Sequence, residues 1–580
     1  MSVTPAVRIG ASALAGAFAL LLGMGTAHPA PAPKAVPKKA EPGIMSAAAL
    51  EGGLRRAIAR QCQRPGSVSV HVRSLTAGET LFSHEAREKR IPASNLKLAT
   101  TAAALARLGP DYTFPTDVYS DGAFRGPLLA GNLYFKGYGD PFLVQERVRE
   151  LAHELRARGL RRVKGDLVAD ETYFDSERFG KGWHAEGSLR PYQAPHGALS
   201  FNFNVIWVIV TPGQNPGEPA RVRLDAPAET VRLEGGIETG PRNGRPAVQF
   251  SRHLSGGLDR IRVGGTVPAG GSQVTYPVTI SDPAMYAAGA FALFLKEAGI
   301  LLEGRIRRGS TPADAELLAR TLSRPLGELV RDVNKISNNF MAEQILKTLG
   351  AEEHGLPGTA EKGVRAVRDF LVSVGVPADG FELADGSGLS RLNRFSAEGL
   401  VALLEGVHRD FRLRPEFEAS LAVVGVDGTV RKKLQRTGSV RRVRVKSGLL
   451  DGVQSLSGYG LADNGELIAF AIISNDSACH AERLFRDMIL DMTDLDRPLP
   501  PALAHETAGV RRTLALPMPD PRRRDSWRAR HRARLGPAPE TADTASVGKV
   551  KASAGEEVPP AGLSIIESES APPGDRGARP

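Results

Sequence analysis

The chain has 580 residues, 42% of them hydrophobic, and a formal net charge of +11. Its length calls for more than one domain, and its apolar fraction is that of a globular protein. Much of the basic excess sits at the two ends, and three Trp, nine Tyr and no nucleic-acid motif argue against a nucleic-acid partner for the folded part.

The N-terminus reads as a signal peptide over residues 1–27. Arg8 precedes an apolar, small-residue run from Ile9 to Met24, and Gly25-Thr26-Ala27 offers a small-residue cleavage site. The run is about 16 residues, short of the ~20 needed to span a bilayer. An uncleaved signal anchor is the alternative, and in either case the body is exported, with a periplasmic location expected. Residues 28–44, rich in Pro, Ala and Lys, form an extended linker.

Folding is expected from Met45. The pattern predicts a helix over Ser46 to Gln63 and a hairpin of Val68 to Arg73 with Glu79 to Ser83 around Thr76-Ala77-Gly78. A second helix runs from Ser94 through Leu108, after Pro92 and before Gly109-Pro110. From about Tyr112 to Ser281 short alternating segments dominate, with strands at Asn132 to Lys136, Val163 to Val168, Val205 to Val210 and Val274 to Ile280, and one helix at Val144 to Arg158. Helical periodicity returns at Pro283 to Ala298, Leu326 to Leu349, Thr359 to Val374 and Ser396 to Val407. Strands follow at Val443 to Lys446, Gln454 to Leu461 and Glu466 to Ser474, then a closing helix at Arg483 to Met492.

Residues 45–112 and 282–497 therefore read as one split α/β domain, with 113–281 as a β-rich insertion of one or two small nested domains. Residues 498–580 lose periodicity and are expected to be a disordered tail. Its basic cluster, 522–534, carries seven arginines around Trp527. That cluster is either a solvated run or a contact with a membrane surface or wall polymer.

Cys62 and Cys479 are the two cysteines. No C-x-x-C and no H-E-x-x-H occurs, so no metal or other cofactor is expected. In an oxidising compartment the pair forms either a disulfide across a very long loop or two separate buried thiols.

Three short motifs carry the chemistry: Ser94-Asn95-Leu96-Lys97, Ser337-Asn338-Asn339 and Lys446-Ser447-Gly448. Singly they are weak, since about one or two S-x-x-K matches arise by chance in a chain this long. Ser200-Phe201-Asn202 competes for the second motif, but lies in the β-rich insertion, where it suits a turn or domain interface. Order and spacing make the set specific. Ser94 and Lys97, at i and i+3, share one helix face, so a neutral Lys97 amine can take the serine proton. That needs a fall of about three units from an exposed lysine pKa of ~10.4, which burial and a neighbouring cation, Lys446, can supply. Ser337 can relay a proton to a leaving amine, and Asn339 can hold a substrate amide. Lys446-Ser447-Gly448 ends the basic strand Val443-Arg444-Val445. Such a strand can accept an extended peptide at its edge. Gly448 allows close approach, and Lys446 and Ser447 offer a cation and a hydroxyl to a carboxylate.

With these motifs, the chain resembles the D-alanyl-D-alanine carboxypeptidase/endopeptidase family of class C low-molecular-mass penicillin-binding proteins over roughly residues 45–497. Further matching segments are Leu133-Tyr134-Phe135-Lys136-Gly137-Tyr138-Gly139-Asp140-Pro141, Gly165-Asp166-Leu167-Val168, Ser200-Phe201-Asn202, Asp385-Gly386-Ser387-Gly388-Leu389-Ser390 and Gly425-Val426-Asp427-Gly428-Thr429. The resemblance implies a β-lactamase/transpeptidase-like fold, peptidoglycan stem peptides as substrate and β-lactams as covalent inhibitors. It implies Ser94 as acylated nucleophile, Lys97 as its base, and Ser337, Asn339 and Lys446 as the proton network and peptide site. Ser447 and Gly448 complete the substrate strand, and the amides of Ser94 and Leu449 form the oxyanion hole.

Two positions depart from the family pattern. The residue after K-[ST]-G is often Thr or Ser, whose hydroxyl helps grip the terminal carboxylate, and here it is Leu449. Relatives that bind a free amino group on the peptide place an Asp a few residues after a Trp. Alignment through Trp183 and Ala194-Pro195 puts Gly187 there, with Glu186 next door as a substitute. These departures leave a second reading, a catalytically weak or inactive wall-binding module. A class A β-lactamase would need an E-x-x-L-N stretch, and a Ser-His-Asp esterase a G-x-S-x-G elbow; the sequence has neither.

Overall fold

The computed structural model describes residues 46–433 and 439–514. The expected signal peptide, the linker and the basic cluster 522–534 lie outside the described residues. Among the described residues no helix is long and apolar enough to cross a membrane.

Helix α1 (Ala47–Gln61) starts at Ser46, whose Oγ accepts from Ala49 N at 3.2 Å, a side-chain cap on an otherwise unpaired amide. A hairpin follows, β1 (Val68–Ser74) and β2 (Glu79–His84), then α2 (Lys97–Leu108). The chain next builds the β-rich region and α3 (Gln145–Ala157), and then runs through α4 (Pro283–Glu297), α5 (Leu326–Ile336), α6 (Asn339–His354), α7 (Ala360–Ser373) and α8 (Ala397–Arg409). It ends with β3 (Ala422–Val423), β4 (Val443–Leu450), β5 (Val453–Leu461), β6 (Leu467–Ser474), α9 (Ala481–Thr493) and α10 (Pro501–Leu514).

The six labelled strands form one antiparallel sheet in the order β2-β1-β6-β5-β4-β3. Its middle strand shows why the sequence reads as it does. β6 is apolar almost without interruption because both its faces are covered. Ala469, Ala471 and Ile473 face α2 and α5 to α8, whereas Ile468, Phe470 and Ile472 face α1 and α9. On the first side, α5 buries Leu326, Leu329, Val330 and Val333, the i, i+3, i+4, i+7 stripe of a helix packed on a core.

The β-rich region holds a second core, to which Phe135, Phe201, Ile206 and the α4 residues Phe291 and Phe294 belong. A five-stranded sheet there joins Pro115–Ser120 to Leu133–Gly137 and, on its other side, to Glu316–Leu322. α4 and strand Glu316–Leu322 thus stay with the inserted strands, so we place the return to the six-stranded sheet at Leu326, later than the expected 282. Ser200-Phe201-Asn202 is a turn in this region. Ser200 is buried and donates to Gly197 O at 2.8 Å, and Asn202 Oδ1 accepts from Gln145 N at 3.2 Å.

Two expectations are corrected. The helix expected from Leu326 to Leu349 is two helices, because Ser337 takes a left-handed conformation (φ 61°, ψ 39°) that no α-helix can continue through. Asn338 then caps α6, accepting from Met341 N at 3.0 Å. The tail expected from 498 begins as a helix, α10, with Pro501 at its first position and Thr507 buried. Its few apolar residues gave no periodic signal, while a first-position proline is compatible with helix.

Cys62, at the end of α1, and Cys479, just before α9, form a disulfide across a sequence separation of 417. In the chain-entropy description such a loop is worth about 6 kcal/mol. Replacing both cysteines with Ala should lower urea-unfolding stability by about 3–5 kcal/mol. Peptide mapping without reductant should recover the two cysteines in one linked fragment from the unaltered protein.

Candidate active site

The site is built where α2 begins, where α5 breaks into α6, and along β4. Ser94 lies in a single turn, Ala93–Leu96, that leads into α2. Ala93 is held at φ 47°, a conformation that costs a residue with a Cβ about 1 kcal/mol or more. The sheet holds that turn in place. Ser455 on β5 donates to Pro92 O at 2.6 Å, and Asn95 donates to Ser457 Oγ at 2.7 Å. Gly388 (φ 82°) packs directly on the Ala93 carbonyl, where any Cβ would collide.

Lys97 is fully buried. Its Nζ donates to Ser94 Oγ at 3.0 Å, to Asn339 Oδ1 at 2.6 Å and to Ser387 O at 2.6 Å. Loss of hydration pulls its pKa down to about 7, against the opposing fields of Asp385 and Glu343. Lys446 is also fully buried and donates to Ser337 Oγ at 2.8 Å and Ser447 O at 2.7 Å. Burial, and then the neighbouring Lys97, hold its pKa well below the ordinary lysine value. The break at Ser337 is what permits this pairing. It turns the Ser337 hydroxyl to Lys446 while Asn339, two residues on, reaches Lys97. Asn339 is engaged at both ends, since its Nδ2 donates to Tyr192 O at 2.9 Å.

The structure therefore brings Ser94, Lys97, Ser337, Asn339 and Lys446 together. Gly448 backs onto the same turn. A Cβ there would meet Ser455 Oγ, Ser94 N at 2.9 Å and Ala93 Cβ at 3.0 Å. Ser447 Oγ lies 2.7 Å from Thr429 Oγ1. Leu449 is 64% exposed. Glu186 is exposed on the segment that docks through Trp183 and Tyr192. Trp183 Nε1 donates to Asp385 at 2.8 Å. No hydrogen bond or ion pair ties Glu186 to another described residue.

A layer behind the site escaped the sequence reading. Glu343, fully buried, accepts from Gly386 N and Ser387 N at 3.0 and 2.8 Å, fixing the backbone that leads into the Ser387 carbonyl bonded to Lys97. Burial, and then the Asp385 charge, push its pKa above the carboxylate range. Asp385 in turn accepts from Gly388 N at 2.8 Å and Ser390 N at 2.7 Å. The available signal for Glu343 was its position. It stands one helical turn after Asn339, in a helix that also carries Phe340, Met341, Ile345 and Leu346, where an acid has no reason to be buried without partners.

Three comparisons bear on this constellation. The profile of the D-Ala-D-Ala carboxypeptidase 3 (S13) family matches residues 54–494. The chain is 37% identical over 439 residues to the D-alanyl-D-alanine carboxypeptidase of Actinomadura sp. (strain R39), covering 73% of this chain and 80% of that protein. It is 27% identical over 412 residues to the D-alanyl-D-alanine carboxypeptidase DacB of Haemophilus influenzae, covering 70% and 85%. The crystal structure of penicillin binding protein 4 (dacB) from Haemophilus influenzae superposes with a TM-score of 0.65 at 25% identity, over 80% of this chain and 99% of that one.

The packing at Gly448 can be tested by stability. Gly448→Ala should cost about 1–3 kcal/mol in urea unfolding, the range for overpacking. Gly460→Ala on the neighbouring strand, where the nearest atom to a new Cβ is 3.9 Å away, should be close to neutral.

Proposed function

The chain belongs to the D-Ala-D-Ala carboxypeptidase 3 (S13) family, and we propose that it is a serine-type D-Ala-D-Ala carboxypeptidase and D,D-endopeptidase acting on peptidoglycan stem peptides and acylated by β-lactams. The observation that carries this reading is the Lys97 amine, 3.0 Å from Ser94 Oγ and with a pKa drawn to about 7. A base poised near the working pH is what general-base activation of a serine needs.

In this reading Ser94 Oγ attacks the D-alanyl carbonyl as its proton passes to Lys97 Nζ. The Oγ–carbon bond forms, and the amides of Ser94 and Leu449 receive the oxyanion. The C–N bond then breaks, and the departing amine takes a proton through Ser337 Oγ, whose partner is Lys446. The proton that Lys97 took passes to the Ser337–Lys446 pair, replacing the one given to the amine. The neutral Lys97 then deprotonates water, which attacks the acyl carbon, the carbon–Oγ bond breaks, and the proton returns from Lys97 to Ser94 Oγ. Ser447 and Gly448 line the strand edge on which the peptide lies, and Asn339 orients Lys97. Glu186 is assigned to the free amino group of the stem-peptide side chain. Its carboxylate is exposed, with no hydrogen bond or ion pair among the described residues, on a segment that reaches Asn339 through Tyr192. Export fits the same reading, since wall peptides lie outside the cytoplasm and the Cys62–Cys479 disulfide belongs to an oxidising compartment. The alternative of an inactive wall-binding module finds no missing member in the Ser94, Lys97, Ser337, Asn339 and Lys446 set.

Below pH 7 Lys97 is mostly protonated and cannot take the serine proton, so acylation by penicillin should rise as pH increases through about 7 and then level off. Stopped-flow acylation rates against pH test this, and a flat profile would count against Lys97 as base. Ser94→Ala should abolish covalent labelling, and Lys97→Met should slow it by ~10²–10⁴-fold. For Glu186→Ala, hydrolysis of peptides with and without the free side-chain amine should show a weakened preference for the amine. An unchanged preference would remove Glu186 from the site.

A further inference from the structure

A carboxylate has two oxygens and is held firmly when two or more donors converge on it. Ser447 and Leu449 leave β4 on the same side, because strand side chains alternate. Ser447 supplies one hydroxyl there. Leu449 supplies none, and its side chain is 64% exposed. The hydroxyl that does stand beside Ser447 comes from elsewhere in the chain, Thr429 Oγ1 at 2.7 Å.

Thr429 is firmly placed. Gly428 before it has φ 59°, and a Cβ there would meet the Lys335 carbonyl at 2.6 Å. Asp427 accepts from Lys335 Nζ at 2.6 Å and from Val423 N at 2.7 Å. Val430 after it is buried. Lys335 is two residues before Ser337, so the Thr429 turn is fastened to the helix end that presents Ser337 to Lys446. Thr429 itself is exposed, and a ligand at the strand edge can reach its hydroxyl.

We propose that Thr429 is a substrate-binding residue that forms, with Ser447, a two-hydroxyl clamp for the carboxylate following the scissile bond, in the place where Leu449 offers no donor. The proposal rests on the peptidase reading above. The two hydroxyls bond each other in the free protein, and each would turn its proton to a carboxylate oxygen when the substrate arrives.

The test compares diacetyl-Lys-D-Ala-D-Ala with the same peptide ending in a carboxamide, using full-length wild type, Thr429→Val and Thr429→Ser. Wild type should favour the free acid. Thr429→Val should reduce that preference roughly tenfold, the worth of one hydrogen bond to a charged group, with most of the change in KM. Thr429→Ser, which keeps the hydroxyl, should retain the preference. Thermal melting checks folding, and Thr429→Ala carries the same expectation if the valine variant does not fold. An unchanged preference in the variants lacking the hydroxyl, or an equal loss on both peptides, would overturn the clamp while leaving the peptidase reading intact. Wild type that hydrolyses neither peptide and takes no penicillin label on Ser94 would sink both.

Discussion

Two buried, neighbouring lysine amines are the constraint on which the rest of the structure depends. Removing a single ammonium from water is expensive, and a second beside it adds repulsion. The protein does not cancel this with a direct ion pair. Lys97 meets two neutral oxygens, Asn339 Oδ1 and Ser387 O, besides the serine, and Lys446 meets a hydroxyl and a carbonyl. The acids Glu343 and Asp385 stand one layer back, bonded to backbone amides. Dipoles at contact distance and charges at a remove leave the Lys97 amine easy to deprotonate. A carboxylate touching Nζ would have held the proton in place.

That arrangement asks for groups from four separated stretches of chain. The antiparallel sheet brings β4 and β5 against the Ser94 turn, α2 leaves that turn with Lys97 as its first residue, and the broken α5–α6 junction delivers Ser337 and Asn339 to different amines. The 385–390 loop closes the back. Ala93 and Ser337 hold positive φ at two places where a regular helix would point the Ser94 or Ser337 hydroxyl elsewhere. The surrounding sheet and loop contacts hold both residues in place.

How much of this the sequence disclosed varies from residue to residue. The Ser94–Lys97 pair was legible because its relation is local: a spacing of i and i+3 brings both side chains to one face. The K-S-G strand was legible because β4 and its neighbours alternate or run apolar over short windows. The break at Ser337 was not, since apolar spacing continues from Val333 through Ile345 and periodicity is blind to one left-handed residue. Glu343 and Thr429 act through partners far away in sequence, and only the fold brings those partners close. The later end we assign to the β-rich region was hidden for a similar reason. Glu316–Leu322 looks like any short strand until its pairing with Pro115–Ser120 is seen.

The sheet has an order of assembly written into its connectivity. β1, near the start of the folded part, is flanked by β2 and by β6, whose pairing joins Val68 to Ser474 and Ser74 to Ile468. The platform that holds the Ser94 turn therefore waits for strands made some four hundred residues later. In the growing chain the first motif exists as sequence but not as a site. A hydrolase built this way holds its Ser94 turn in shape only when its last strands arrive.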